Sequence, residues 1–302
     1  MNTSWPHWTV LRDEVADFLV PQPGGVFVDG TLGMGGHTEA LLERGADRVV
    51  GIDRDPAALS IARERLAAWG DRVTMVHGTF DAISEHLAAL GIAQVDGIVV
   101  DLGVSSLQLD EAERGFSFRS SGPVDMRMDT TQSETADEVV NTMDAKALAT
   151  LIFTYGEERH SRRIARAIVA GRPWTDTESL AEAIADAVPK GKPEKIHPAT
   201  RTFQAIRIHV NDELGQVERF LPEAVNCLSS GGRLSVIAFH SLEDRIVKRF
   251  LAFESGRTSP RDAYGHPVST PRLRPLPKLV RPSADDPNPR ARSAKLRCAV
   301  RS

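Results

Sequence analysis

Short apolar runs alternate with segments of helical periodicity along much of the chain. The runs at 26–29, 49–53, 72–77 and 95–101 are rich in β-branched residues, and a fifth follows at 233–239. Between them, apolar residues recur every three or four positions, which predicts helices over 55–69, 83–90 and 211–228. This alternation predicts an α/β fold with a doubly wound, mostly parallel sheet. The run at 95–101 is apolar at nearly every position, so we expect it to be buried on both faces.

About a hundred residues between the fourth and fifth strands have a different character. From 135 to 208 the chain shows Ala/Leu/Ile stripes at helical spacing and almost no strand signal. We therefore predict that residues 135–208 form an inserted all-helical domain, and that 1–134 with 209–302 form the sheet domain. Residues 107–134 are predicted to be a long connecting loop, and two late apolar pieces, 276–280 and 295–300, to complete the sheet.

The first strand ends in Asp29 and is followed by four glycines within seven residues, at Gly30, Gly33, Gly35 and Gly36. Glycine allows a sharp turn and has no Cβ to obstruct a ligand. The second strand ends in Asp53, whose carboxylate can accept hydrogen bonds from both hydroxyls of a ribose. A strand, a glycine-rich turn, a helix and an acid-tipped strand together predict a nucleoside-binding βαβ unit.

The acids at the strand ends bear on which nucleoside cofactor would bind. Asp29, Asp53 and Asp101 would repel the pyrophosphate of a dinucleotide but would suit a cationic ligand. S-adenosyl-L-methionine carries a sulfonium and an ammonium group and no phosphate. The residues therefore favour a methyl donor, while a nicotinamide dinucleotide and a generic tight turn remain alternatives.

Charge is distributed unevenly along the chain. The net charge is −4, yet residues 255–302 contain eleven Lys/Arg and three Asp/Glu, a net of +8, so residues 1–254 carry −12. This asymmetry indicates either a basic contact surface in the tail or a solvated tail without a partner.

Two cysteines far apart, Cys227 and Cys298, indicate a reducing compartment and no structural zinc. Without a signal-peptide pattern or a long apolar run, we expect a cytoplasmic protein that does not bind a membrane.

Several long, unusual strings resemble the RsmH (MraW) family of small-subunit ribosomal RNA cytosine-N4 methyltransferases. The resemblance covers nearly the whole chain, from His7 to the tail. It is carried by the segments 35–37, 53–55, 101–110, 114–118, 122–129, 197–204, 207, 211–213, 239–244 and 288–297. One departure is Leu107, where family members commonly have proline.

The resemblance implies the Rossmann-like fold of S-adenosyl-L-methionine-dependent methyltransferases, with that cofactor. The family's cofactor contacts carry over to this sequence, with the methionine part at the glycines, the ribose at Asp53 and the adenine face at Phe80. The contacts so implied are Gly35, Gly36, His37, Asp53, Phe80, Asp101 and Gln108. Asp29 and Gly33 join them from the strand-and-turn pattern. Considered singly, Phe80 could be a core residue, His37 a helix cap and Gln108 loop surface.

The resemblance also implies methyl transfer to the exocyclic amine of a cytosine, at position 1402 in the decoding region of 16S rRNA. That amine is a poor nucleophile and gains positive charge during attack, so an acceptor must lie near it. Candidate acceptors are Asp101, Ser105, Ser106 and His240, and Phe116 or Phe118 could supply a stacking partner for the base. His240 could equally be a structural histidine, and the two phenylalanines loop anchors. No metal-ligand constellation is predicted.

A cytosine in folded RNA must be extruded to reach the donor, and basic groups should hold the neighbouring phosphates. The candidates lie in one predicted helix and in the tail: Arg162, Arg163, Arg166, Arg290, Arg292 and Lys295. A solvated basic helix face is the simpler interpretation of the first three. The expected partner is 16S rRNA, within the small ribosomal subunit; monomer and homodimer both remain open. A nicotinamide oxidoreductase and a non-catalytic ribosome-assembly factor are the competing functions.

Overall fold

The computed structural model describes residues 9–189, 196–265, 268–283, 286 and 288–302, without the side chains of Pro289 and Arg290. The described chain folds into two compact units. One unit contains Val104–Glu213, and the other contains the described residues before and after that segment. Among the described residues, no helix has the length and apolar character needed to cross a bilayer.

The sheet unit is built on seven strands in the order β3-β2-β1-β4-β5-β7-β6. β1 to β5 are parallel, whereas β7 runs antiparallel to β5 and β6 antiparallel to β7. The strand order reverses beside β1, which puts the ends of β1 and β4 at the edge where ligands of open α/β sheets bind. The strands are β1 Val26–Asp29, β2 Arg48–Asp53, β3 Val73–His77, β4 Val95–Asp101, β5 Leu228–Ala238, β6 Leu273–Pro275 and β7 Lys295–Arg301.

Helices cover both faces of this sheet, as the apolar pattern predicts. Val28, Ile98 and Val100 pack into a core on one face, and the intervening Phe27 and Val99 pack into a second core on the other. Because alternate strand residues point to opposite faces, two such cores require helices on both sides. The helices of this unit are α1 Arg12–Leu19, α2 Gly36–Glu43, α3 Pro56–Arg65, α4 Ile83–Ala89, α11 Glu213–Cys227, which begins at the last residue of the other unit, and α12 Ser241–Glu254.

The second unit is all-helical and has its own core. Leu148, Ile152, Ile164 and Ile184 are each fully buried there. Its helices are α5 Ser106–Asp110, α6 Ala136–Thr142, α7 Ala145–Gly156, α8 Ser161–Ala170, α9 Thr177–Ala187 and α10 Thr200–Val210.

The helical unit starts earlier than the predicted boundary at residue 135. Phe116, Val124, Met126 and Met128, from the segment predicted to be a connecting loop of the sheet domain, are buried in the core of the helical unit. Asn211 fixes this segment, since its Oδ1 accepts from Met128 N at 2.8 Å and its Nδ2 donates to Met126 O at 2.7 Å. The boundary at 134/135 was therefore wrong, because these apolar side chains lack helical spacing and gave no signal of their core role.

The late strands also differ in detail from the prediction. β7 coincides with the piece at 295–300, but β6 precedes the predicted piece at 276–280, which contributes only an isolated bridge between Val280 and Leu296. β5 begins at Leu228 and includes the Ser-Ser-Gly-Gly segment expected to be a helix stop, with an irregular register opposite Val95 and Gly97 of β4. Pro275, Pro277 and Pro282 cannot donate to a ladder, which limits how far an edge strand extends there.

Candidate active site in the sheet unit

The glycine-rich turn after β1 is held by backbone hydrogen bonds to both neighbouring strands. Gly30 N donates to Val99 O of β4 at 2.8 Å, and Leu32 N donates to Ile52 O of β2 at 2.9 Å. Gly35 N then donates to Leu32 O at 2.7 Å and closes the turn at the start of α2. The turn is thus a fixed part of the sheet edge.

Gly35 and Gly36 are required by the geometry of this turn. Gly35 has φ = 82°, and a Cβ on it would lie 2.8 Å from Leu66 Cδ1. A Cβ on Gly36 would overlap Thr9 Oγ1. Gly33 has φ = 51°, but a Cβ there would meet nothing closer than Thr31 O at 3.8 Å. Space beside Gly33 is therefore open to a ligand, whereas Gly35 and Gly36 serve the packing of the turn itself.

Asp53, at the end of β2, is bound to the turn. Its Oδ2 accepts from Gly33 N at 2.6 Å and its Oδ1 accepts from Asp55 N at 2.9 Å. Burial raises the pKa of Asp53 to about 6, against the lowering effect of these two donors. Each oxygen retains a further lone pair. Asp53 can therefore still accept from ligand hydroxyls.

Asp29 has a different role from the one predicted. It is fully buried, its Oδ2 accepts from Thr38 Oγ1 at 2.8 Å, and its Oδ1 accepts from Thr31 N at 3.3 Å. Burial also raises the pKa of Asp29 above its usual value. Because the carboxyl faces the interior and both its oxygens serve the turn, we assign Asp29 to holding the turn and not to direct contact with a ligand.

His37 and Asp101 lie side by side at the edge of the sheet. His37 Nε2 is 3.8 Å from Asp101 Oδ2, and the His37 side chain is 5% exposed, against 25% for Asp101. Within the described chain, both ring nitrogens of His37 and Asp101 Oδ1 are buried without a hydrogen-bond partner. Buried polar atoms of this kind are normally satisfied, so this corner is suited to a polar ligand.

Thr31 connects β1 to Asp101. Its Oγ1 accepts from Asp101 N at 2.6 Å, while its own N–H donates to Asp29. Neither Thr31 nor Thr38 was predicted from the sequence, since a hydroxyl near glycines gives no signal of its partner. Their spacing of two and nine residues from Asp29 is the only feature that could have indicated them.

Phe80 lies just after β3, as predicted, and is partly buried. Its ring meets Phe220 edge-on, with centroids 5.1 Å apart at 90°. It also packs against the core on that face of the sheet. The ring is thus anchored by the core, while the residue as a whole stays partly exposed.

His240 caps α12. Its Nδ1 accepts from Glu243 N at 3.4 Å, and Glu243 Oε2 accepts in return from His240 N at 3.1 Å. A neutral imidazole that accepts at Nδ1 carries its proton on Nε2. The ring therefore serves as a structural cap, the alternative that the sequence left open.

Ser105, Ser106 and Gln108 belong to the helical unit, at the start of α5. Ser105 and Gln108 form a reciprocal capping box: Gln108 N donates to Ser105 Oγ at 3.3 Å, and Ser105 N donates to Gln108 Oε1 at 3.0 Å. Gln108 is 5% exposed. Ser105 and the Gln108 carbonyl oxygen thus have local structural roles, whereas Ser106 takes no part in the cap.

The predicted basic residues fall into two groups. Arg162, Arg163 and Arg166 are exposed along α8 and form no ion pair with the described residues. In the tail, Lys295 Nζ lies 3.3 Å from Asp244 Oδ2, so its charge is already partnered, whereas Arg292 is exposed. The side chain of Arg290 lies outside the described part of the structure. Arg297, from the same string, also pairs with Asp244, at 2.8 Å.

The two candidate stacking partners for the base, Phe116 and Phe118, differ in their burial. Phe116 is only 7% exposed and packs in the core of the helical unit, so it cannot stack on a base. Phe118 is half-buried and keeps part of its ring at the surface.

Comparison with known proteins identifies the family. The chain matches the model of the MraW methylase family over residues 4–302. A curated relative from Rhodospirillum centenum is 50% identical over 306 residues, covering 98% of this chain and 92% of its own. Another, from Sorangium cellulosum, is 50% identical over 302 residues, covering 98% and 90%. The chain therefore belongs to the MraW methylase family. Both relatives carry the name Ribosomal RNA small subunit methyltransferase H.

Solved structures show a looser resemblance. A putative methyltransferase from Streptococcus mutans in complex with SAH aligns over 98% of this chain and 100% of its own, with a TM-score of 0.46 and 11% identity. An rRNA methylase from Streptococcus thermophilus aligns over 96% and 93%, with a TM-score of 0.44 and 11% identity.

Proposed function

We propose that this protein is an S-adenosyl-L-methionine-dependent methyltransferase of small-subunit ribosomal RNA. The observation that carries the proposal is the edge of the sheet in a chain of the MraW methylase family: a glycine turn bounded by Asp53 and Asp101. We further propose that the acceptor is N4 of a cytosine in the decoding region of 16S rRNA, as the family resemblance implies.

The residues at this edge fit the proposed cofactor. Asp53 would accept from the ribose hydroxyls, and Phe80 would pack on the adenine. The unpartnered ring nitrogens of His37 would meet the charged methionine end. When bound, S-adenosyl-L-methionine supplies an electrophilic methyl group on a sulfonium. Gln108, in the helical unit, stays a prediction from the family resemblance.

Within the site, Asp101 is the best placed of the proposed acceptors for the amine. Its main chain is fixed by Thr31, and its Oδ1 has no hydrogen-bond partner in the described structure. Ser105 and His240 are occupied in helix caps. A carboxylate beside the attacked amine stabilises the positive charge that develops on nitrogen and then takes its proton.

Basic side chains on α8 would hold the RNA. Arg162, Arg163 and Arg166 present unpaired charge to solvent. Phosphate contacts give affinity without sequence preference, so base recognition must come from other groups.

The test is transfer of a labelled methyl group from S-adenosyl-L-methionine to 30S particles and to free 16S rRNA, followed by mass-spectrometric mapping of the product. Methylation of N4 on one decoding-region cytosine is expected, and the two substrates show whether the assembled subunit is required. Label on another base or atom would contradict the finer proposal. Absence of label with tight RNA binding would favour a non-catalytic assembly factor, and tight binding of a nicotinamide dinucleotide would favour an oxidoreductase.

A further inference from the structure

An exposed histidine is stacked on a phenylalanine in the helical unit. The rings of His197 and Phe118 have centroids 4.8 Å apart and are inclined by 37°. His197 is exposed, whereas Phe118 is half-buried. Phe118 in turn meets Phe203 with centroids 4.9 Å apart at 70°, and Phe203 is 4% exposed. A row of three aromatic rings therefore leads from the core of this unit to its surface.

The outer ring is oriented by a hydrogen bond to the backbone. His197 Nδ1 accepts from Ala199 N at 3.2 Å. In the neutral imidazole, an acceptor at Nδ1 requires the proton to be on Nε2. His197 thus offers solvent an aromatic ring and an N–H donor in a defined orientation.

The segment that carries Phe118 is held at both ends. On the N-terminal side, Arg114 donates to Arg127 O and Met128 O, each at 3.0 Å. On the C-terminal side, Gly122 and Thr177 are paired, with Thr177 N donating to Gly122 O at 2.9 Å. Phe118 is therefore on a pinned surface, and stacking on it costs little further ordering.

Positive charge lies next to the rings in sequence. Arg119 follows Phe118, is exposed, and forms no ion pair with the described residues. A stacking ring combined with a free guanidinium is the combination with which proteins hold unpaired nucleotides, the ring taking the base and the cation the phosphate.

We propose that His197 and Phe118 form a platform on which an unpaired base of the RNA substrate stacks, with Arg119 on a neighbouring phosphate. This rests on the proposed function, because it assumes that the partner is RNA. It assigns base contact to a pair of residues that the charge pattern of the chain does not indicate.

Two substitutions of His197 separate stacking from a structural role. His197→Asn retains an oxygen that can accept from Ala199 N but removes the ring. His197→Trp retains a stacking ring but loses the acceptor. A platform predicts that Asn weakens binding and Trp preserves it; a purely structural role predicts the reverse order. Phe153→Ala is the matched control, since Phe153 is 62% exposed on α7 of the same unit and has no ring partner among the described residues.

The measurement is binding of full-length protein to a single-stranded RNA oligonucleotide with the decoding-region sequence, and to the same sequence as a duplex. His197→Asn and Phe118→Leu are expected to weaken single-strand binding between about fivefold and a hundredfold and to leave duplex binding nearly unchanged. A 2-aminopurine base in the oligonucleotide should be quenched by wild type and His197→Trp, and not by His197→Asn.

Calorimetric titration with S-adenosyl-L-methionine and thermal unfolding of each variant show whether the rest of the molecule is intact. Equal affinity of wild type and His197→Asn for single-stranded RNA would overturn the platform while leaving methyl transfer by wild type, and so the proposed function, standing. Loss of both quenching and single-strand affinity in a variant that binds S-adenosyl-L-methionine and unfolds as wild type would support it. Equal loss of single-strand and duplex binding would also overturn it.

Discussion

The imidazole of His37 faces the carboxylate of Asp101 with 3.8 Å between Nε2 and Oδ2. This distance is longer than a hydrogen bond, and in the described structure neither ring nitrogen of His37 has another partner. A buried polar corner of this kind is stable when a ligand completes it, which is why we place the charged end of the cofactor there.

The Asp101→Asn variant should lower the rate of methyl transfer. The amide keeps the shape of the side chain but carries no charge to stabilise the amine as it becomes cationic. A loss of about a hundredfold in kcat is expected. Single-turnover transfer to 30S particles measures it, with Asp71→Asn, an exposed acid of the same unit, as control. A kcat within twofold of wild type would exclude Asp101 as the acceptor.

Cofactor affinity should fall as the pH is lowered through about 6, where Asp53 titrates. The ionised carboxylate is the stronger acceptor for ribose hydroxyls, so ligand binding should release protons from Asp53 near this pH. Calorimetry in buffers of different ionisation enthalpy measures both the affinity and the protons released. An Asp53→Asn variant should bind weakly at every pH, and an equal pH dependence in that variant would assign the effect elsewhere.

The unliganded protein should show the opposite trend in stability. The pKa of Asp53 is raised from 3.8 to about 6, so the folded chain holds this proton where the unfolded chain has lost it. Lowering the pH between these two values therefore stabilises the fold, and raising it through about 6 removes that stabilisation. The Tm of wild type minus that of Asp53→Asn should be larger at the acid end of this range than above it. A constant difference would show that Asp53 does not titrate there.

Alanine at the glycines of the turn should separate stability from ligand binding. Gly35→Ala, with φ = 82° and a Cβ 2.8 Å from Leu66, should lose about 2–4 kcal/mol of unfolding free energy. Gly33→Ala should lose only about 1 kcal/mol, yet should weaken cofactor binding because its Cβ enters the open space. Urea unfolding and calorimetry measure the two effects. Gly91→Ala, with φ = 69° and nothing within 4 Å, is the control for backbone strain alone.

Charge reversal on α8 should weaken RNA binding and leave cofactor affinity intact. The Arg162→Glu and Arg163→Glu variants remove exposed cations without touching the core of the unit. The slope of log K against log salt should become shallower by about 0.7–0.9 for each phosphate that the protein no longer neutralises. Arg63→Glu, exposed on α3 of the sheet unit, is the control. Equal loss of RNA and cofactor binding would indicate a general structural defect.

In the tail, Arg292 and Lys295 should behave differently. Lys295 pairs with Asp244, and Lys295→Ala should cost about 1 kcal/mol or less of stability, with little change in RNA affinity. Arg292 is exposed, and Arg292→Ala should weaken RNA binding without a change in stability. Urea unfolding and filter binding distinguish the two. If Lys295→Ala weakened RNA binding and Arg292→Ala did not, Lys295 would have to leave Asp244 when RNA binds.

The elements that sequence periodicity predicted best are those whose burial is uniform. β4 was predicted because nearly every residue in it is apolar. The turn after β1 was predicted from its glycines, because glycine adopts a positive φ readily and has no Cβ. Asp53 followed from its place at the end of β2. These features depend on local sequence and on the single rule that parallel strands meet at one edge.

What the sequence did not show depends on distant partners. Asp29 looked like a ligand contact, but Thr31 and Thr38 turn it into an internal support. His240 and Ser105 looked like catalytic groups until their capping partners were visible three residues on. A side chain's residue type indicates its chemistry, whereas its role depends on which of its atoms are already bonded, and that is a property of the fold.

The bond between Asn211 and the backbone at Met126 and Met128 has a consequence for folding order. β4 and β5 pair in parallel, yet the chain between Asp101 and Leu228 must be folded away before they meet. Closing so long a connection as a random coil is entropically unfavourable and slow. Asn211 joins the far end of the insertion to the segment at Met126 and Met128, so early formation of the helical unit shortens the effective loop. Asn211→Ala should therefore slow the assembly of the sheet more than any single substitution within its strands that is equally destabilising.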